Sequence, residues 1–113
     1  MYDAWPAGDR ATVEALLADE FQFTSPYDDA IDRATFFARC WPNHVNMKQF
    51  AFRRIVVDGD HAYVTYHLEL KDGRHVENTE LLRFRRGKLA AVDVYFGAEH
   101  DASGTFVAMK RPT

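Results

Sequence analysis

The sequence has little cysteine, no long apolar segment and no excess of basic residues. Its one cysteine, Cys40, excludes an internal disulfide framework and a cysteine-rich zinc site. No apolar run approaches the roughly 20 residues of a membrane-spanning helix, and no charged start followed by an apolar stretch resembles a signal peptide. With 14 Lys and Arg against 17 Asp and Glu, the chain lacks the basic surplus that binds nucleic-acid phosphates. We therefore expect a cytoplasmic protein without a nucleic-acid or membrane partner.

What is present is ample apolar material for one folded domain. The 113 residues are 47% hydrophobic and include nine phenylalanines. So many flat side chains require a large core, a lined cavity or a partner surface. We expect a single domain over residues 1–113.

The first half of the chain has the patterns of short helices. Residues 1–8 resemble the last turn of a helix closed by Gly8, and Asp9 and Asp32 are good N-caps of two further helices. Between these helices, residues 21–24 alternate like a short strand that Ser25-Pro26 ends, and residues 27–31 are expected to form a loop. The second helix is expected to stop at Pro42.

The second half has the pattern of an antiparallel meander. Four runs rich in aromatic and β-branched residues are separated by Asp58-Gly59, Asp72-Gly73 and Arg86-Gly87, which are turn signals. The four predicted strands cover residues 47–57, 61–70, 75–84 and 89–96. We therefore predict an α+β fold, a cone-shaped and strongly curved antiparallel sheet with helices on its concave face, and an edge strand or loose terminus from residue 98.

Turn lengths then predict which side chains share a face of the sheet. Two-residue loops at Asp58-Gly59 and Asp72-Gly73, with a three-residue loop at residues 85–87, set the register. The predicted inner face is apolar with polar groups at its centre. We expect a ligand pocket on this face, lined by Tyr27, Phe52, Tyr63, Thr65, Asn78, Val92, Val94 and Phe96.

The predicted outer face is also too apolar for open water. It carries Val64, Tyr66, Leu68, Leu81 and Ala91. Since no helix remains to cover it, we expect a two-fold homodimer through this face.

Glu80 and His67 are the candidate catalytic residues. A carboxyl at Glu80, between Thr65 and Val92, would be desolvated and suited to act as a general acid or neutral donor. The alternative is a structural carboxylate held by Arg54 or by a backbone group. His67 beside Asn78 is either a base or one half of a hydrogen-bonded pair in the pocket wall.

Other residues give weaker signals. Tyr27 is either a donor over the pocket mouth or a packed loop aromatic. The five histidines lack the short spacing of a zinc site, so we expect neither a metal nor another cofactor. Cys40 is expected to be a core residue.

The order of elements resembles the nuclear transport factor two-like superfamily, in particular its SnoaL-like and ketosteroid isomerase-related group. The matching segments are Ala4-Trp5 with Gly8-Asp9, Phe23 to Asp28, Gly59-Asp60, Asn78-Thr79-Glu80 and Gly87-Lys88-Leu89. The resemblance implies a bent sheet around a helix-capped pocket, dimeric through its other face. In this superfamily the segment Ala4-Trp5 with Gly8-Asp9 ends a long first helix, of which only about one turn remains here. The resemblance therefore also implies that one side of the pocket is more open than in its relatives, or is plugged by the tail around Phe106.

The resemblance also implies roles for three positions. Ser25 stands at the place of the isomerases' proton-shuttling carboxylate, Met1 at that of a helix tyrosine, and Glu80 at that of a protonated aspartate. Val94 stands where the fold's epoxide hydrolases have a carboxylate. Two functions remain open: a cofactor-independent acid/base isomerase, dehydratase or cyclase for a small apolar substrate, or a non-catalytic ligand-binding or dimerisation module.

Overall fold

The computed structural model describes residues 2–108, which form short helices followed by long strands. The helices are α1 Ala4–Ala7, α2 Arg10–Leu16, α3 Arg33–Arg39 and a 3-10 helix at Trp41–Asn46. The strands are β1 Leu17–Ser25, β2 Asp28–Asp32, β3 Met47–Asp58, β4 His61–Leu70, β5 His75–Arg85, β6 Lys88–His100 and β7 Phe106–Val107.

The predicted helix starts are confirmed by their capping contacts. Asp9 accepts a hydrogen bond from the Thr12 amide at 3.2 Å, and Asp32 accepts one from the Thr35 amide at 2.8 Å. Gly8 ends α1 in the left-handed region at φ 69°. Because these signals depend on neighbouring residues alone, the sequence predicts them well.

The strands form one curved, unclosed sheet in the order β2-β1-β6-β5-β4-β3, with β7 paired to β6. Neighbouring strands are antiparallel, as predicted, except for the parallel pair β1–β6. Strand β2 lies where the sequence predicts a loop over residues 27–31. It pairs with β1 because the Ser25–Asp28 turn brings Ile31 opposite Phe23, although Asp28-Asp29-Ala30 has low strand propensity.

The predicted register of β4 is wrong by one residue. The β4–β5 loop is Lys71-Asp72-Gly73, with Gly73 at φ 91° and a hydrogen bond from the Leu70 amide to the Arg74 carbonyl. Val64 therefore lies opposite Glu80, and Tyr66 lies opposite Asn78. Since side chains alternate along a strand, this single extra loop residue exchanges the two faces of β4.

The other two turns also differ from the prediction, with smaller consequences. The β5–β6 loop is the two residues Arg86-Gly87, both at positive φ, which shifts the pairing by one residue from the prediction. An irregularity between Arg83 and Phe84 shifts it by one more, so Glu80 lies opposite Val94 instead of Val92. This shift of two residues leaves the inward face unchanged. In β3, the loop Gly59-Asp60 and an irregularity between Phe52 and Arg54 place Arg54 opposite Thr65.

The core lies between the helices and the concave face of the sheet. Val64, Tyr66 and Leu68, predicted to face outward, are buried there. The cluster also contains Trp5, Val13, Leu17, Phe21, Phe36, Phe37, Trp41, Leu82, Leu89 and Val92. The outer face is consequently more polar than predicted, and it carries Tyr63, Thr65, His67, Glu77, Thr79, Leu81 and Tyr95.

The tail confirms the expected edge strand in part. Phe106 and Val107 pair with His100 and Glu99 as β7, and residues 109–113 lie outside the described part of the chain. Phe106 is exposed and borders a second cavity beside the mouth of the main pocket. The described part of the tail, up to residue 108, therefore lines this second cavity and does not line the main pocket.

Candidate functional site

A cavity of about 300 Å³ opens between the concave sheet face and the helices. Its size is that of a pocket for a small molecule. Its wall is dominated by aromatic and aliphatic side chains, with few polar groups. The lining residues are Tyr2, Trp5, Leu17, Phe21, Phe23, Ser25, Tyr27, Asp28, Phe36, Cys40, Asn43, Met47, Phe50, Tyr66, Leu68, Asn78, Glu80, Leu89, Val92, Val94 and Phe96.

Glu80 lies in the wall of this cavity with both carboxyl oxygens bonded. It is 8% exposed. The Tyr66 hydroxyl donates to Oε1 at 2.7 Å, and the Tyr2 hydroxyl donates to Oε2 at 3.2 Å. Asn78 Nδ2 in turn donates to the Tyr66 hydroxyl oxygen at 3.2 Å. Glu80 therefore belongs to a network whose other members carry no charge.

Burial raises the pKa of Glu80 above its usual range, and the hydrogen bonds from Tyr66 and Tyr2 oppose the shift without cancelling it. The pKa values of Tyr66 and Tyr2 are raised as well, first by burial and then by the nearby Glu80 carboxylate. Both phenols consequently stay protonated, and the Glu80 carboxyl favours its neutral form. A neutral carboxyl can donate a hydrogen bond or a proton.

The predicted contact of Glu80 with Arg54 is wrong. Arg54 pairs with Thr65 and lies on the opposite face of the sheet, because the irregularity in β3 reverses its direction. The guanidinium therefore cannot neutralise Glu80.

The predicted pairing of His67 with Asn78 is wrong because the register of β4 against β5 differs by one residue from the prediction. His67 lies on the outer face, where its Nε2 is 2.9 Å from His75 Nδ1 and its Nδ1 is 3.2 Å from Glu77 Oε1. Asn78 lies on the inner face and contacts Tyr66 instead. His67 is thus separated from the cavity by the thickness of the sheet.

Of the predicted pocket residues, five line the cavity: Tyr27, Asn78, Val92, Val94 and Phe96. Phe52 is on the inner face but 48% exposed, and its ring lies 5.1 Å from that of Tyr2. Tyr63 and Thr65 are on the outer face, where the hydroxyls of Thr65 and Thr79 are 2.8 Å apart.

Sequence reasoning missed four polar residues of the cavity, Tyr2, Asp28, Asn43 and Tyr66. Tyr66 was missed because the predicted register of β4 turned it outward. The spacing from Gly8-Asp9 placed the helix tyrosine at Met1, which lies outside the described residues, and Tyr2 next to it makes the contact with Glu80. Asp28 was assigned to a loop.

Asp28 lies in the cavity wall at the start of β2. Its side chain is 9% exposed. The Ser25 hydroxyl donates to Oδ2 at 2.9 Å, while Arg39 Nη2 lies 2.9 Å from Oδ1. Cys40 lines the same wall, and burial, followed by the charge of Asp28, raises the pKa of its thiol to about 11. The thiol therefore stays protonated at neutral pH and is a poor nucleophile.

Among residues 2–108, no three His, Cys, Asp or Glu side chains are grouped in a way that could hold a metal ion. None of the helices in this range is both long and apolar enough to cross a membrane.

Comparison with known proteins supports this architecture. The model of the SnoaL-like domain family matches residues 1–92. No curated protein matches the chain.

Many solved structures share the fold, and three of them illustrate the range of proteins in which it occurs. A Kribbella flavida protein proposed to be a ketosteroid isomerase is 19% identical, with a TM-score of 0.73 over 99% of this chain and 76% of that one. A Jannaschia protein proposed to be a SnoaL-like polyketide cyclase is 16% identical, with a TM-score of 0.72 over 84% and 78%. A Catenulispora acidiphila protein with a ketosteroid isomerase-like fold, in complex with trimethylamine, is 15% identical, with a TM-score of 0.66 over 85% and 81%.

Proposed function

Because the chain belongs to the SnoaL-like domain family, we propose that it binds a small, neutral and largely apolar molecule in the cavity and acts on it by cofactor-independent acid/base chemistry. In this proposal Glu80 is the proton donor to an acceptor atom of the ligand, such as a carbonyl oxygen. Isomerisation, dehydration and cyclisation are the reaction classes that need only such proton transfers.

The observation that carries the proposal is a buried carboxyl that meets only neutral hydrogen-bonding partners in an apolar cavity. A carboxylate there would have two hydroxyl donors but no cation beside it, and burial outweighs the two hydrogen bonds in their effect on its pKa. A neutral carboxyl in such surroundings is the form that polarises a carbonyl group. The aromatic wall, which includes Trp5, Phe21 and Phe36, supplies apolar contact area for the body of the ligand.

A second candidate function is a non-catalytic binding module of the same fold. It is favoured by the two tyrosine hydroxyls, which already occupy both oxygens of Glu80, and by the hydroxyl of Ser25 at the place of a proton-shuttling carboxylate. In this alternative the network orients a ligand but transfers no proton.

We expect 2-acetylnaphthalene to bind more tightly than 2-isopropenylnaphthalene, which has nearly the same planar shape but no acceptor oxygen. One hydrogen bond to a buried donor contributes about 1 kcal/mol, or roughly fivefold in Kd. Binding is measured by quenching of tryptophan fluorescence, because Trp5 lines the cavity. Glu80→Leu should abolish the preference for the ketone, whereas Glu77→Leu, on the outer face of the same strand, should retain it. Equal affinity of the wild-type protein for both probes would contradict the proposal.

Catalysis is tested separately from binding by exchange of the methyl protons of 2-acetylnaphthalene in D2O, followed by NMR. A proton donor to the carbonyl should accelerate this exchange, and Glu80→Gln should slow it by about 100-fold. Binding that depends on Glu80 without accelerated exchange would support the non-catalytic module instead.

The homodimer remains a proposal, now on a corrected surface. The outer face presents the half-exposed rings of Tyr63 and Tyr95 beside Leu81. We expect sedimentation at micromolar concentration to show a dimer, and Leu81→Lys to shift it towards monomer. Val57→Lys, at an exposed site near the β3–β4 loop, should leave the dimer intact. A wild-type monomer would contradict this expectation.

A cytoplasmic location and the lack of a nucleic-acid partner also remain predictions from composition.

A further inference from the structure

We propose that the ligand is an elongated carbonyl compound whose carbonyl group lies at Glu80 and whose apolar tail lies in the second cavity, beside the mouth of the main pocket. This inference rests on the proposed function, in which Glu80 donates to the carbonyl oxygen. It names the substrate class of that site and assigns a tail subsite around Val76 and Phe106, which line the second cavity but not the main pocket.

The first support is that the two cavities share part of their walls. The second cavity has a volume of about 620 Å³, which is larger than that of the main pocket. Four residues, which we call the neck, line both cavities: Tyr27, Asn43, Asn78 and Phe96. A ligand that is too long for the main pocket would pass the neck and enter the second cavity. Together the two cavities therefore offer the extended site that an elongated ligand needs.

The second support is the direction of β5, whose inward side chains lead from one cavity to the other. Glu80, Asn78 and Val76 lie two residues apart, opposite three residues of β4 that belong to the core, so they share the concave face. Glu80 lines the main pocket, Asn78 belongs to the neck and Val76 lines the second cavity. At a rise of about 3.3 Å per residue, the backbone distance from Glu80 to Val76 is about 13 Å. A ligand that contacts both side chains has to span a similar length.

The third support is a bulge in β6 at the second cavity. Alongside the segment from Asn78 to Val76 of β5, strand β6 has one extra residue. Such bulges bend a strand and are common beside functional sites. Gly97 lies in this bulge, where a Cβ would clash with the Glu77 carbonyl oxygen of β5. Gly97 and Ala98 both line the second cavity, and their small size leaves room there for a ligand.

The wall of the second cavity indicates the chemistry of the tail. Most of this wall is apolar, with side chains such as Val76 and Phe106. Among the described residues, its charged members are Arg74 and Glu99, which have opposite signs, and Arg74 Nε also lies 2.7 Å from Asp72 Oδ2. An alkyl or aryl chain therefore suits the cavity better than an ionic group does. Because Phe106 is 61% exposed, a tail packed against its ring would remove apolar surface from water.

The test compares two ketones that differ only in a tail, 2-acetylnaphthalene and 2-acetyl-6-hexyloxynaphthalene, by quenching of tryptophan fluorescence. We expect the wild-type protein to bind the hexyloxy ketone about tenfold more tightly, because burial of the tail is favourable in proportion to its apolar area. Phe106→Ala should reduce this advantage by about threefold and leave the Kd of 2-acetylnaphthalene unchanged. Phe84→Ala is the matched control and should leave both Kd values unchanged, since Phe84 is 41% exposed and lines neither cavity.

A second variant fills the tail subsite instead of trimming its wall, and it keeps the test decisive if Phe106→Ala disturbs β7. Ala98→Phe places a ring in the second cavity, so the hexyloxy ketone should lose most of its advantage over 2-acetylnaphthalene. Ala51→Phe, at an exposed site in β3, is the control and should keep the advantage.

Two further measurements show where each end of the ligand lies. Glu80→Leu should weaken the binding of both ketones by the same factor, because the carbonyl and tail contacts lie in different parts of the site and act independently. In NMR spectra, the terminal methyl group of the hexyloxy tail should give NOEs to the Val76 methyl groups. NOEs to Leu17 or Val92, which line the main pocket alone, would show that the tail binds there and would overturn the inference.

The outcomes separate this inference from the proposed function. Equal affinity of the wild-type protein for the two ketones, or an advantage that persists unchanged in both Phe106→Ala and Ala98→Phe, overturns the tail subsite and leaves the contact with Glu80 intact. Equal affinity for 2-acetylnaphthalene and 2-isopropenylnaphthalene overturns the proposed function itself, and with it the carbonyl end of this inference. A tail advantage that is lost in Ala98→Phe would in that case still support the tail subsite.

Discussion

Replacing Phe21 with alanine is expected to lower the free energy of unfolding by about 3–5 kcal/mol. Phe21 is 1% exposed and its ring lies 5.0 Å from that of Phe36 in an edge-on contact. Phe21 also lines the cavity, so its neighbours have open space on one side. We therefore expect the remaining side chains to fill little of the vacated volume, which keeps the cost of the substitution high. A domain of this size has about 5–15 kcal/mol of stability in total, so the loss is a large share.

The measurement is urea unfolding followed by tryptophan fluorescence. The control is Leu16→Ala, since Leu16 ends α2 with 38% of its surface exposed. We expect the control to cost less than about 1 kcal/mol. A similar loss in both variants would show that Phe21 does not anchor the core between α3 and the sheet.

The sequence could predict those features that depend on neighbouring residues. The caps at Asp9 and Asp32 depend on a side chain and an amide three residues away, and both are confirmed. The long strands have strong β-branched and aromatic patterns, and the observed bounds of β3, β4 and β5 differ from the predicted ones by at most one residue, whereas β6 extends four residues further, to His100. Strand β2 lacked such a pattern, because its pairing comes from β1 and not from its own propensity.

The site was harder to predict because it depends on register. Asp-Gly suits both a two-residue loop and a three-residue loop with glycine in the left-handed region, and the difference of one residue decides which face of β4 meets the cavity. Glu80 kept its inward direction because the β5–β6 turn and the irregularity between Arg83 and Phe84 together shift the pairing by two residues. His67 and Tyr66 exchanged places because the error at the β4–β5 turn was one.

Asp28 illustrates a different limit. Neither periodicity nor composition predicts that a residue after Ser-Pro turns inward, since its direction follows from a hydrogen bond of Ser25 and from a strand pairing that forms only in the folded protein. The direction of such a side chain can be determined only from the folded structure.

The stability of Glu80→Gln relative to the wild-type protein is expected to increase as the pH rises above the ordinary glutamate pKa of 4.5. Burial raises the pKa of Glu80 in the folded protein, whereas the unfolded chain keeps the ordinary value. Between these two values the wild-type unfolded state is stabilised by ionisation and the folded state is not, so wild-type stability falls by up to about 1.4 kcal/mol per pH unit. Glutamine does not ionise and can keep both tyrosine contacts, so the variant does not lose this stability.

The matched control is Glu77→Gln, because Glu77 lies on the same strand and faces the other way. Although burial acts to raise its pKa, the contacts of Arg53 and His67 outweigh burial and lower the pKa of Glu77. Its carboxylate therefore stabilises the fold above pH 4.5, and this stabilisation is lost as the pH falls. Melting temperatures measured from about pH 4 to about pH 7 should show the two variants diverging from the wild-type protein in opposite directions as the pH rises. If Glu80→Gln instead became less stable than the wild-type protein with rising pH, Glu80 would be ionised in the folded state. The proposed role of Glu80 as the proton donor of the cavity would then be wrong.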